Sequence, residues 1–206
     1  DLHSFPTRRS SDLEMPSERK GIADTIGKNT SHITSLVNKM LALANEHSKD
    51  LLKDVEVCDA LDICKRAISA MPAVDQTKIK VELEDLAEGE EKKLVTNSDS
   101  LLQMLVNILE NATKFTEEGY IRLTLKKVAD FFNFTIEDTG CGIPDDKIST
   151  IFDRFVKVDE FKEGLGLGLA YCHETAEKLG GTLTLEKTSA LGTTFTLSLP
   201  IKLKTE

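Results

Sequence analysis

From Ser17 to about Ser48 the apolar positions Ile22, Ile26, Ile33, Val37, Met40 and Ala44 recur at threes, fours and sevens with no proline among them. That spacing predicts one long amphipathic helix, and its heptad-like stripe suits packing against other helices in a bundle. Lys49 to Lys53 reads as a polar linker. Beyond it the periods alternate. Asp59 to Met71 predicts a helix stopped before Pro72; Ile79, Val81 and Leu83 alternate as a strand, and Leu94 to Thr96 form a short one. Ser98 or Asp99 is the expected cap of a helix running to about Thr116. Gly119 opens a hairpin with Ile121, Leu123 and Leu125 on one strand and Phe132, Phe134 and Ile136 on the other. Helices are expected near Asp145–Phe152 and Leu167–Leu179, and strands around Thr182–Glu186 and Thr194–Pro200. This order predicts an α+β sandwich, a mixed sheet covered on one face by helices.

Composition narrows the possibilities. At 206 residues, there is room for one well-buried domain of about 150 residues and an appendage. The 26 Lys and Arg against 35 Asp and Glu give a net charge of −9, which disfavours nucleic acid or anionic lipid as a partner. Cys58, Cys64, Cys141 and Cys172 have no CxxC spacing and no clustered histidines, so neither a zinc site nor a disulfide framework is expected. The longest apolar stretch, Leu101 to Leu109, is interrupted by Gln103 and Asn107 and falls far short of the roughly 20 residues of a membrane span. Residues 1–13, DLHSFPTRRSSDL, back-translate in frame onto a string that resembles a widely used sequencing-library adapter. They are expected to be a processing scar, and the natural protein is expected to continue upstream.

The chemistry sits in four places. On the helix from Asp99 to Thr116, at about 100° per residue, Leu101, Leu102, Leu105, Ile108, Leu109 and Ala112 share a core-facing side. Asn107, Asn111 and Lys114 line the opposite one. Alone, such a stripe is an ordinary solvated face. Then comes Asp138-Thr139-Gly140-Cys141-Gly142-Ile143-Pro144, an acid closing an apolar strand before a glycine turn. A buried carboxylate there can accept a hydrogen bond from an exocyclic amine such as that of adenine. Third, Gly164-Leu165-Gly166-Leu167-Gly168-Leu169 runs straight into a helix, a phosphate cradle of bare N–H groups with a helix N-terminus behind it. It fits neither the Walker nor the dinucleotide pattern. Finally, Gly192-Thr193-Thr194-Phe195 precedes the closing strand.

In order and spacing, NILENATKFT, DTGCGIP, IFDRF, GLGLGL and GTTF resemble the five signature boxes of histidine-kinase ATPase domains, over residues from about 54 to 202. The resemblance implies a Bergerat-type (GHKL) two-layer sandwich at 51–206, preceded at 14–50 by the second helix of a dimerisation hairpin whose first helix is missing. It implies ATP and Mg²⁺ as cofactors, with Asn111 on the metal and Asn107 and Lys114 on the phosphates. Phe115 would lie over the adenine, Asp138 would take its amine, and Gly140, Gly142 and Ile143 would shape the pocket. Phe152 to Phe155 and Gly164, Leu165, Gly166, Leu167, Gly168 and Leu169 would form lid and cradle, with Arg154 a charge stabiliser and Thr194 close to Asp138. Such a domain passes the γ-phosphoryl of ATP to a hairpin histidine, and thence to an aspartate on a response-regulator receiver domain, as a cytoplasmic part of a homodimeric kinase. A degenerate module that binds nucleotide or dimerises without kinase activity is the alternative.

Two departures stand out. The family's phosphoacceptor histidine, followed by an acid and an Arg-Thr-Pro-Leu-like run, has no match at His3, His32, His47 or His173. This chain is therefore expected to bind ATP without autophosphorylating. The stretch Val156 to Glu163 between IFDRF and the glycine loop is also short for a lid.

Overall fold

A computed structural model of the chain describes residues 30, 51–87, 91–159, 162 and 164–203. The chain divides into two compact units, Asp1–Glu46 and His47–Glu206. In the first, Thr30 is helical and exposed; the rest of the long helix expected over 17–48, the 1–13 segment, His32 and His47 lie outside the described residues. No helix among the described residues is long and apolar enough to cross a membrane.

The second unit begins with a short strand β1 (Glu56–Asp59) and helix α1 (Ala60–Ala70), whose first turn is capped by the Asp59 carboxylate accepting from the N–H groups of Leu61 and Asp62. Strands β2 (Ile79–Asp85) and β3 (Lys93–Thr96) follow, then the 18-residue helix α2 (Ser98–Phe115). Its N-cap is Asn97, one residue before the expected Ser98, because the Asn97 amide oxygen accepts from the Ser100 N–H. The hairpin β4 (Gly119–Val128) and β5 (Phe131–Asp138) leads to a single turn α3 (Asp145–Ile148), helix α4 (Gly168–Lys178) and strands β6 (Thr182–Ser189) and β7 (Gly192–Pro200). The helix expected to reach Phe152 stops after that turn; Thr150 and Asp153 continue as turns bonded back to Lys147 and Thr150.

Five strands form one mixed sheet in the order β2-β4-β5-β7-β6, with β2 parallel to β4 and every other pair antiparallel; β1 and β3 pair separately. Alternation decides which face is covered. Ile121, Leu123, Leu125, Phe132, Phe134, Ile136, Leu197 and Leu199 are buried beneath α1, α2 and α4. The residues between them, such as Thr124, Thr135 and Arg122, line the other face. On α2 the inward side is Leu101, Met104, Leu105, Ile108, Leu109 and Ala112. Met104 takes the buried place expected of Leu102, which is half exposed. The two-layer α+β sandwich thus brings the end of β5, the outer stripe of α2 and the start of α4 to one edge.

Candidate functional site

Asp138 closes β5 and is 7% exposed. Two backbone donors hold it: Gly140 N–H at 2.8 Å and Thr193 N–H at 3.3 Å, both on Oδ1. Among the described residues no hydrogen bond reaches Oδ2, which remains an acceptor for a ligand amine. Burial pushes the carboxyl above its ordinary range, the Gly140 and Thr193 N–H groups pull it back, and the neighbouring charge of Glu137 adds a smaller upward push. Glu137 itself points to the opposite face, where it accepts from Tyr120 Oη at 2.9 Å and Arg122 Nη1 at 3.2 Å.

The turn after Asp138 is wedged between its neighbours. A Cβ on Gly140 would lie 2.6 Å from the carbonyl oxygen of Phe115, and one on Gly142, at φ +74°, would lie 2.0 Å from that of Ser189. The N–H of Cys141 donates to the same Phe115 carbonyl at 3.3 Å. The N–H of Ile143 donates to Thr188 Oγ1 at 2.8 Å. The end of α2, the turn and β6 are therefore one rigid corner, and Thr188 is a support that no sequence pattern had marked. Thr194, expected close to Asp138, opposes the adjacent Glu137, while Thr193 opposes Asp138 and supplies the hydrogen bond. Because side chains alternate across a strand, this one-residue difference moves Thr194 to the other face.

On α2, Asn107, Asn111 and Lys114 are half-buried rather than solvated, because the glycine loop and α4 come to meet them. The Cβ position of Gly168 is 3.9 Å from the Asn107 side chain, and that of Gly164 is 3.2 Å from Lys114 Nζ. Asn111 lies between these two points along the helix. Leu165, Leu167 and Leu169 are half-buried. Unlike α1 and α2, α4 has no side-chain cap on its first turn, so its leading N–H groups are available to an anion. Below Asn107 the Cys172 thiol donates to the Met104 carbonyl at 3.5 Å, and burial pushes it up to about 12, against a hydrogen bond with Asn107 that lowers it. It is an inert packing thiol.

Phe115 ends α2 with two ammonium groups over its ring, Lys114 Nζ at 5.2 Å and Lys162 Nζ at 5.1 Å from the centroid. Lys162 Nζ also donates to the Lys114 carbonyl at 2.6 Å, a cation on the negative end of the helix. Lys162 was not among the residues singled out from the sequence; a lone lysine in a short loop carries no signal there. Phe155 is 61% exposed, sits at φ 68°, and donates its N–H to Gly166 O at 2.9 Å. Arg154, expected as a charge stabiliser, forks onto Glu174, Nε to Oε1 and Nη2 to Oε2, each 2.8 Å. A guanidinium is drawn to the nearest carboxylate that matches its two parallel donors.

Among the described residues no cluster of three or more His, Cys, Asp or Glu could cage a metal. Mg²⁺ commonly takes one or two protein ligands and completes its shell with phosphate and water oxygens. The Asn111 amide oxygen is a hard donor in the right stripe for it.

A buried strand-end carboxylate, an asparagine stripe and an uncapped helix behind alternate glycines, set on a two-layer sandwich, define a GHKL-type ATP-binding domain. The chain belongs to the histidine kinase-, DNA gyrase B- and HSP90-like ATPase family, whose model matches residues 96–203. It is 39% identical over 103 residues to the sensor protein TorS of Escherichia coli strain K12, covering 50% of this chain and 11% of that protein. It is 30% identical over 198 residues to the sensor protein SrrB of Staphylococcus aureus strain MRSA252, covering 90% of this chain and 32% of SrrB. Its fold is shared with full-length ShkA, solved in complex with AMPPNP, at a TM-score of 0.75 and 24% identity over 95% of this chain and 41% of that one. The chain spans from about a tenth to about a third of the curated relatives it matches.

Proposed function

We propose that this chain is the ATP-binding catalytic domain of a sensor histidine kinase, which transfers the γ-phosphoryl group of ATP to a histidine on a hairpin helix. In the intact homodimer the phosphoryl group then passes to a response-regulator aspartate in the cytoplasm. The observation that carries the reading is the pairing of an Asp138 oxygen that no donor among the described residues reaches with the Asn107–Lys114 stripe facing the glycine loop. Asp138 Oδ2 accepts the adenine amine, and the Gly140–Ile143 turn sets the width of the base pocket. Phe115, held by the Cys141 N–H on its carbonyl, lies against the base. Asn107, Lys114 and the first N–H groups of α4 hold the phosphates in line for an incoming imidazole nitrogen, so that the protein's contribution is position and charge. Asn111 would hold Mg²⁺, which when bound neutralises charge on the phosphate oxygens. Thr194 opposes Glu137 in the register that gives Asp138 its Thr193 donor.

Incubating the chain with ATP, Mg²⁺ and a separately supplied hairpin that bears the phosphoacceptor histidine tests this directly. The expected product is an acid-labile, base-stable phosphohistidine on the hairpin and none on the chain itself. ATP binding without any transfer would favour a nucleotide-binding module that has lost kinase activity.

A further inference from the structure

His173 and Glu174 on α4 take no part in the nucleotide contacts above, yet they gather the segment that leads into the lid. The Phe152 ring stacks on the His173 imidazole with centroids 4.9 Å apart and planes at 27°, and meets Phe195 edge-on at 6.3 Å. Arg154 then places both fork donors on the two oxygens of Glu174. At the far end of the segment, Phe155 N–H bonds to Gly166 O, and the Cβ position of Gly166 is 2.3 Å from Val156 O. Side chains thus tie the front of the segment to α4, while backbone ties its back to the glycine loop.

We propose that Glu174, with His173 beside it, is a positioning residue that anchors Phe152–Val156 to α4, so that this segment and the Gly164–Gly168 loop hold nucleotide as one body and Arg154 is the strut between them. Arg154 and Glu174 are 52% and 30% exposed, so an isolated ion pair between them would be weak. The two-pronged geometry and the adjacent ring stack give the contact its hold. For Arg154 to reach a terminal phosphate it would have to surrender both bonds to Glu174. Because α4 begins at Gly168 in the phosphate cradle, a segment fixed to α4 cannot open without freeing the loop, and nucleotide release is the step it controls.

Three measurements test this, two on the full chain alone and the third its transfer to the supplied hairpin. The first follows release of a fluorescent ATP analogue with Mg²⁺ in stopped flow, and rests on the nucleotide-site reading above; the second, amide exchange of Phe155 without nucleotide, does not. Glu174→Gln and Arg154→Gln are each expected to speed both by about fivefold, the magnitude of an exposed bidentate pair. The double variant should be no faster than either single one, and the exchanged pair Arg154→Glu with Glu174→Arg should recover most of the loss. Loss of phosphoryl transfer to the supplied hairpin at saturating ATP in Arg154→Gln but not in Glu174→Gln would overturn the proposal in favour of a phosphate contact. Wild-type rates of Phe155 exchange in both single variants would overturn it whether or not the chain binds nucleotide.

Discussion

Gly192 and Gly168, at the two ends of the candidate site, are glycines for opposite reasons. At the base end the glycines are packed shut: a Cβ on Gly192, at φ +132°, would fall 1.9 Å from the Asp138 carbonyl oxygen, and one on Gly140 would meet the end of α2. At the phosphate end, a Cβ on Gly168 would find nothing nearer than the Asn107 side chain at 3.9 Å. At Gly140 and Gly192 protein backbone occupies the space, as it does at Gly166 within the loop, where a Cβ would lie 2.3 Å from Val156 O; at Gly168 the space is open. The corner after Asp138 is therefore closed by the fold itself, and the start of α4 is left open beside Asn107.

The strongest way to break this contrast is Gly192→Ala, where both the close approach and the positive φ oppose a side chain. It should destabilise the domain by about 3 kcal/mol, read from the urea midpoint. A loss below about 1 kcal/mol would mean the corner is softer than described. Next comes Asp138→Ala, which strands the N–H groups of Gly140 and Thr193 in a buried place and should cost about 2 kcal/mol in the same measurement. Gly168→Ala should behave oppositely. Near the start of a helix, alanine is as good as glycine or better, by up to about 1 kcal/mol. Analogue affinity should nevertheless fall about tenfold as the methyl enters the cradle, which calorimetry would report.

The smallest expected effect is on pH dependence. Burial raises the Asp138 carboxyl above its ordinary 3.8, so the folded chain holds that proton more tightly than the unfolded one. The stability this linkage contributes is complete below 3.8 and is lost as pH rises through the folded value. Asp138→Asn keeps an oxygen for both N–H donors and does not titrate. Its denaturation midpoint at pH 7 should match or exceed that of the wild type, with the margin narrowing as pH falls toward 3.8. A margin that widens on acidification would mean that the two N–H bonds outweigh burial.

Much of this was legible in the sequence, and the exceptions have physical causes. The β4–β5 hairpin follows from strict alternation, Ile121-Leu123-Leu125 against Phe132-Phe134-Ile136, which only one face can bury. The long α2 follows from its apolar stripe. Register was harder: in Gly192-Thr193-Thr194 the two threonines are chemically alike, so nothing local says which shares a face with Asp138. Likewise Asp145–Phe152 has helical composition, but Phe152 leaves the helical path to stack on His173, a contact 21 residues away in sequence. The Arg154 pairing is hidden from the sequence for the same reason, since its carboxylate partner lies on α4. Supports such as Thr188 and Lys162 act through single hydrogen bonds across the fold and leave no periodic mark.

Calorimetric titration of the chain with a nonhydrolysable ATP analogue, with and without Mg²⁺ and beside Asp138→Asn and Asn111→Asp, bears most directly on the site. The account expects Mg²⁺-dependent binding to the wild type that Asp138→Asn loses although its fold is intact, and that Asn111→Asp alters in its Mg²⁺ dependence. Absence of binding by the folded wild-type chain, or equal binding by Asp138→Asn, would contradict it.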